Sequence, residues 1–418
     1  MKHNESDVII IGAGLTGLSA ANRLIEDGFH VTVLEAMERA GGKVESVEKE
    51  SGWFERGPQF VNDDMSEMVK LIERAGMTLA ETTIADNAAM IHAETKEDAD
   101  QRTEPLVPKL FATHLTDDIP LAQLYANAGM NDTSLSIIRS MQTELVTIEP
   151  DQLSAIALID TNNRYPSEKS DLTHQASGPL GTVITYLADR LEDHLIYEAP
   201  VTHVRTSDKM YTVHTKNEQY TAPAVIVALP PAVATSLNYP EEVEYQFRDA
   251  LSSYTNGAIV KVTWQFEQPF WNDLHAKNTE KPMAGLVFTN PEGITVSVSS
   301  KANGQPRLTM FIGGNEAKRF STMNEKERIH EATRLLAMGV GSAAYDYTDA
   351  TDSVWVDHPY CGGGYGASVH FGGQPDAAEH LRLPYERFLF ASSETATEFP
   401  NFMEGAVRAG IRAAMNIK

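Results

Sequence analysis

The stretch Val8-Ile-Ile-Ile-Gly12-Ala-Gly14-Leu-Thr-Gly17, continuing through a helical segment to His30-Val-Thr-Val-Leu-Glu35, decides the fold. Val8 to Ile11 is wholly apolar and stops at a glycine, as a strand buried on both faces does. Gly14 to Asp27 has the spacing of a helix, and His30 to Glu35 reads as a second strand. Together they form a βαβ unit, with GxGxxG spacing at its first turn. In that setting Gly12 permits the tight turn, Gly14 lets a pyrophosphate approach the backbone, and Gly17 lets helix and strand pack closely. The helix N-terminus offers free amides and partial positive charge to the pyrophosphate. Glu35, ending the second strand, is placed to accept from a ribose hydroxyl, and an acid there disfavours a 2′-phosphate. The fold class is therefore α/β, with a Rossmann-like dinucleotide-binding domain. NAD and FAD both remain open on these residues alone.

At 418 residues the chain exceeds one ordinary core and fits two interlocked domains. Its formal charge of −24 argues against a nucleic-acid backbone or an anionic membrane as the main partner, since both attract basic clusters. Cys361 is the sole cysteine, so no intramolecular disulfide forms and a reducing compartment is the simplest setting. Lys2 is the only lysine or arginine before Asp7, and the apolar run that follows stops at Gly12, which is not the shape of a signal peptide. No apolar stretch reaches membrane-spanning length, so the expected location is cytoplasmic. Paired Cys/His ligands, HExxH and GxSxG are all missing from the sequence, and His358 with Cys361 does not make a metal site.

Further along, Met65 to Ala75, Asp132 to Ile148, Pro179 to Leu191 and Glu325 to Met338 have helical spacing, and Glu94 to Glu104 reads as an acidic surface loop. Ile196 to Ala228 alternates like a sheet meander, ending in Ala224-Val-Ile-Val-Ala. Strands return at Ala258 to Phe266, Ala284 to Thr289, Ile294 to Ser299 and Leu308 to Ile312. The end repeats the opening pattern, with a strand at Phe388 to Ala391 and a helix after Pro400.

Beyond Glu35 lie Arg39-Ala-Gly41-Gly42-Lys43 and Gly52-Trp-Phe-Glu-Arg-Gly57-Pro-Gln-Phe60, which a simple nicotinamide fold does not need. Near the C-terminus come Phe390-Ala-Ser-Ser-Glu394-Thr-Ala and Asn401-Phe-Met-Glu-Gly-Ala-Val407. With these segments the chain resembles the flavin-containing amine oxidase superfamily, which includes monoamine and polyamine oxidases and L-amino acid oxidases. The resemblance covers about half of the chain. It implies non-covalent FAD held by the glycine turn with Leu15 and Thr16, by Glu35 and Ala36, and by Arg39, Gly42 and Lys43. It extends that set to Gly57, Pro58, Gln59, Val201, Glu394 and Met403. A helix starting near Phe402 would put its N-terminus against the flavin edge that gains negative charge on reduction.

The resemblance also implies the reaction site. Ala258-Ile-Val-Lys261-Val-Thr-Trp264 alternates as a strand, and a lysine at this position in the family reaches flavin N5 through a water. From the residues alone Lys261 fits an exposed edge strand equally well. Tyr365 and Phe402 match the two aromatic positions flanking the amine, and Phe60 matches another cavity aromatic or a plain core residue. Gly364 stands where monoamine oxidases carry the flavin-linked cysteine, with Cys361 three residues earlier, so no covalent link is expected.

The implied division is a discontinuous FAD-binding domain from 1–80, 176–265 and 355–418, and a mixed α+β substrate domain from 81–175 and 266–354. The implied reaction moves a hydride from an amine to flavin N5, yielding an imine and, on reoxidation by oxygen, hydrogen peroxide. Two alternatives stand beside it: a C–C desaturase or porphyrinogen-type oxidase, and a non-catalytic flavin-binding protein.

Overall fold

The computed structural model describes residues 5–103 and 106–417. Two sheets organise them. The first is a five-stranded parallel sheet in the order Phe388–Phe390, Val225–Val227, Val8–Ile11, Val31–Leu34, Leu195–Ile196. Its first three strands in that order and Val31–Leu34 carry buried residues throughout, which is why they read as continuous apolar runs. Helix Leu15–Glu26 packs on it against the C-terminal helix Met403–Ile417. The two helices touch closely because Gly410 lacks a side chain: a Cβ there would lie 2.2 Å from Thr16 O. Buried Glu404 reaches from the C-terminal helix to the start of Ser66–Arg74, where its carboxylate accepts from the amides of Glu67 and Met68.

The second sheet has six strands in the order Asp349–Val354, Ile259–Gln265, Arg307–Gly313, Ile294–Val298, Met283–Phe288, Ala89–His92. All neighbours are antiparallel except the last pair. One face presents Val260, Val262, Trp264, Met310 and Ile312 to helix Glu325–Val340 in a single apolar core. The opposite face is studded with Lys261, Thr263, Thr309, Phe311, Thr295 and Ser297, because alternate residues point to opposite sides.

Three expectations change. Ile259–Gln265, assigned by sequence to the dinucleotide-binding unit, pairs on both sides with strands of the second sheet, so it is interior and the exposed-edge reading of Lys261 falls. The expected meander is a three-stranded sheet of Val201–Ser207, Met210–Thr215 and Gln219–Ala222. The apolar run after it departs to join the parallel sheet, where both its faces are covered. The acidic segment from Glu94 is not simply a solvated loop. Ala99–Thr103 is helical, and fully buried Asp98 pairs with Lys281 at 3.0 Å. Glu104 lies outside the described residues.

Helices Leu121–Asn127, Ala155–Asn163 and Glu241–Ser252 were not anticipated. No helix among the described residues is long and apolar enough to cross a membrane.

Candidate active site

One cavity of ≈ 450 Å³ opens at the carboxyl ends of the parallel strands and runs to the polar face of the six-stranded sheet. Its first end is built by the glycine turn. Gly12 has φ +99°, and a Cβ on it would meet Ala228 O at 2.8 Å. At Gly14 an added Cβ would meet nothing within 4 Å, so this backbone faces open space. No side chain caps helix Leu15–Glu26, and its first-turn amides have no acceptor within the helix. Glu35 sits beside them, accepting from Ala13 N at 2.7 Å and Met37 N at 2.9 Å. Burial raises its pKa, while those main-chain bonds act to lower it. The second glycine pair closes over the first: Gly41 N donates to Ala13 O at 2.8 Å, and a Cβ on Gly42 would lie 3.3 Å from Gly14 Cα.

The other end is defined by Lys261, only 4% exposed. Its Nζ donates to the carbonyl oxygens of Glu55 and Gly57, both at 2.8 Å, and lies 5.7 Å from the centre of the Phe311 ring. Between those carbonyls, Arg56 O accepts from Ser353 Oγ at 2.6 Å and Trp355 Nε1 at 3.0 Å. The 55–57 segment is thus pinned to the sheet by three side chains. Burial pushes the Lys261 pKa down to about 7; the Glu55 carboxylate acts to raise it and Arg307 lowers it further. The same burial raises the Glu55 pKa. Phe60 and Tyr365 flank Phe311 at ring-centre distances of 6.5 and 6.3 Å, and Phe402 packs 5.0 Å from Tyr165.

The family profile of flavin containing amine oxidoreductases matches residues 15–123 and 124–418. The chain belongs to that family. It is an FAD-dependent oxidoreductase, and the cavity fits FAD: an uncapped helix N-terminus, glycine backbone facing open space and a buried acid at the strand end suit a dinucleotide. Human amine oxidase [flavin-containing] B is 25% identical over 99% of this chain and 86% of its own length. Horse amine oxidase [flavin-containing] A is 26% identical over 98% and 84%. Among solved structures, cyclohexylamine oxidase from Brevibacterium oxydans superposes with TM-score 0.87 at 21% identity over 99% of this chain and 98% of its own. Wild-type putrescine oxidase bound to putrescine gives 0.84 at 22%, covering 99% of both chains.

Of the residues singled out by sequence, Gly12, Gly14, Leu15, Thr16, Glu35, Ala36, Gly42 and Lys43 line the cavity of this flavin oxidoreductase. So do Gly57, Pro58, Gln59, Phe60, Val201, Lys261, Tyr365, Glu394, Phe402 and Met403. Two do not. Gly17 faces the protein, since a Cβ there would lie 1.9 Å from Gly12 O, and its place in the set is packing. Arg39 turns back to donate to Ala40 O and Gly42 O, holding the second glycine loop in shape. Gly364 also leaves no room for a cysteine, whose Cβ would fall 2.0 Å from Thr147 Oγ1.

Sequence reasoning missed Phe311 and Glu144. Glu144 accepts from Tyr365 Oη at 2.7 Å and from Thr295 Oγ1 at 3.1 Å, and burial pushes its pKa up to about 7. A signal existed: Ile137, Ser140 and Glu144 fall at helical spacing on one face of Asp132–Val146, and the first two are buried. An acid in such a stripe marks a polar cavity.

Proposed function

We propose that the protein is an amine oxidase in which the carbon beside the amine nitrogen is oxidised at the Lys261 end of the cavity. One observation carries the reading: a single continuous cavity, lined also by Phe60, Phe311, Tyr365 and Phe402, joins the glycine-turn cradle to a buried lysine. Monoamine, putrescine and cyclohexylamine oxidases as relatives support it. Bound FAD would supply the redox chemistry: it would accept the hydride lost from the substrate carbon as the nitrogen loses a proton to give the imine, and its two electrons with two protons would reduce oxygen to hydrogen peroxide.

The chain's own residues bind and position. The first-turn amides at Leu15 and Thr16, with the backbone of Gly12, Gly14 and Gly42, would cradle the pyrophosphate, and Glu35 would accept from the ribose. Val201, Glu394, Met403 and the 57–59 backbone would hold the remainder. Aromatic walls keep water from the reacting carbon and favour the nitrogen end of an amine. Lys261 holds a positive charge, or orients a water for imine hydrolysis, in a site dry enough for either to matter. A cytoplasmic setting accords with the single buried cysteine.

The test is anaerobic mixing of the yellow enzyme with primary, secondary and polyamines and amino acids. Bleaching of the flavin absorbance by at least one class, followed by peroxide release on aeration, is expected. A yellow protein that no amine bleaches refutes the proposal.

A further inference from the structure

Most charged groups on the cavity wall are already matched. Glu35 and Glu394 accept from main-chain amides, and Lys43 and Lys261 donate to main-chain carbonyls. Asp171 is held by the Tyr165 hydroxyl and the Asn62 amide, 3.2 Å away. Glu144 differs. Each of its oxygens accepts from one neutral hydroxyl, Tyr365 on one side and Thr295 on the other, and no cation among the described residues acts on it. A carboxylate in such surroundings lacks the counter-charge that buried acids ordinarily have.

Strand register gives its position relative to the reaction end. Lys261 pairs with Phe311, and Phe311 with Thr295. With strands ~4.8 Å apart, Thr295 stands about 10 Å across the sheet from Lys261. Glu144, bonded to the Thr295 side chain, therefore lies on the far side of the Phe311 ring from the lysine. A carboxylate there is poorly placed for a nitrogen reacting beside Lys261. It suits a second positive group on the same molecule, whose alkyl chain would cross Phe311 between Phe60 and Tyr365.

We propose that Glu144 is a specificity-determining residue that receives the distal ammonium of an aliphatic diamine, so that the cavity selects diamines over monoamines of equal length. The assignment rests on the amine-oxidation reading only for which end reacts. The distal ammonium supplies the missing counter-charge and donates to the free lone pairs of both oxygens. A monoamine leaves Glu144 without that partner, and because burial has already raised its pKa to about 7 the acid takes up a proton instead, so the discrimination comes chiefly from the ion pair that only a diamine makes.

The test uses FAD-loaded enzyme reduced with dithionite under nitrogen, so that ligands bind without turnover. Butylamine and 1,4-diaminobutane, then pentylamine and 1,5-diaminopentane, are titrated by calorimetry. Wild type should bind each diamine about tenfold or more tighter than its monoamine. Glu144→Gln, which keeps the shape and the hydrogen bond from Tyr365, should bring that ratio to within about twofold. Glu144→Asp, with the charge drawn back by one methylene, should shift preference towards the longer diamine.

A wild type without diamine preference overturns the proposal whatever the variants do. So does a Glu144→Gln enzyme that weakens diamines and monoamines in equal proportion, because Glu144 would then hold the reacting nitrogen or only brace Tyr365. Selective diamine binding by reduced enzyme, combined with no bleaching of oxidised enzyme by any amine, would leave the Glu144 assignment standing and remove the amine-oxidation reading.

Discussion

Lys261 Nζ donates a 2.8 Å hydrogen bond to the main-chain carbonyl of Glu55, a residue 206 positions earlier in the chain. The bond ties an interior strand of the second sheet to the end of the Ser46–Lys49 and Gly52–Glu55 hairpin, and a matching bond reaches Gly57 O just beyond it. The ammonium is thus both a charge facing the cavity and a clamp on the loop that lines it.

Lys261→Met keeps the apolar stem and removes that clamp. Two part-buried carbonyls losing their donor should lower the unfolding free energy by about 1–3 kcal/mol, read by denaturant titration, while the protein stays yellow. Stopped-flow measurement of the two half-reactions should show reoxidation by oxygen slowed at least as much as reduction by substrate, since the charge would stabilise oxygen as it gains an electron. If both rates stay within about twofold of wild type, a barrier change of ~0.4 kcal/mol, Lys261 is a structural residue only.

Depression of the Lys261 pKa to about 7 sets a pH window. A lysine titrating near 7 when folded and near ~10.4 when unfolded leaves the unfolded chain with more bound protons between those values, so this group makes stability rise with pH across that interval. A step that needs the ammonium runs the other way. The oxygen reaction of pre-reduced enzyme should slow as pH rises through about 7, and the Lys261→Met profile should be flat there. A wild-type profile that is level from pH 6 to 8 argues against a charged role.

Cofactor attachment should be non-covalent. Gly364 has no space for a Cβ, and burial pushes the Cys361 thiol up to about 11, leaving little thiolate to react. Acid precipitation should release the flavin into the supernatant, identically for wild type and Cys361→Ser. Yellow colour kept in a washed wild-type pellet, and lost in the serine variant, would make Cys361 the attachment point.

Glu35→Ala should weaken FAD retention more than it lowers turnover of flavin-saturated enzyme. The carboxylate is remote from Lys261 and, besides its expected ribose contact, anchors Ala13 N at 2.7 Å and so the shape of the glycine turn. A loss of roughly 1.5–3 kcal/mol in cofactor binding is expected by fluorescence titration of the apoprotein. Unchanged affinity would exclude Glu35 from the cofactor site.

Where the chemistry demands a local pattern, the amino-acid order was enough. Gly12, Gly14, Gly17 and Glu35 fall within one βαβ unit, so turn, helix N-terminus and strand end are set by short-range geometry and were legible at once. Strand alternation likewise separated Lys261 from Val260 and Val262. What alternation leaves open is which face meets the cavity and whether the strand lies at an edge; pairing with Asp349–Val354 and Arg307–Gly313 decided that. Arg39 reads like a cofactor cation by position, yet its guanidinium is turned back onto Ala40 O and Gly42 O. Glu144 comes from a helix far along the chain from both Thr295 and Tyr365, and its meaning arises only where the three meet. Burial and the absence of a counter-charge are sums over residues distant in sequence, so tertiary packing alone decides them.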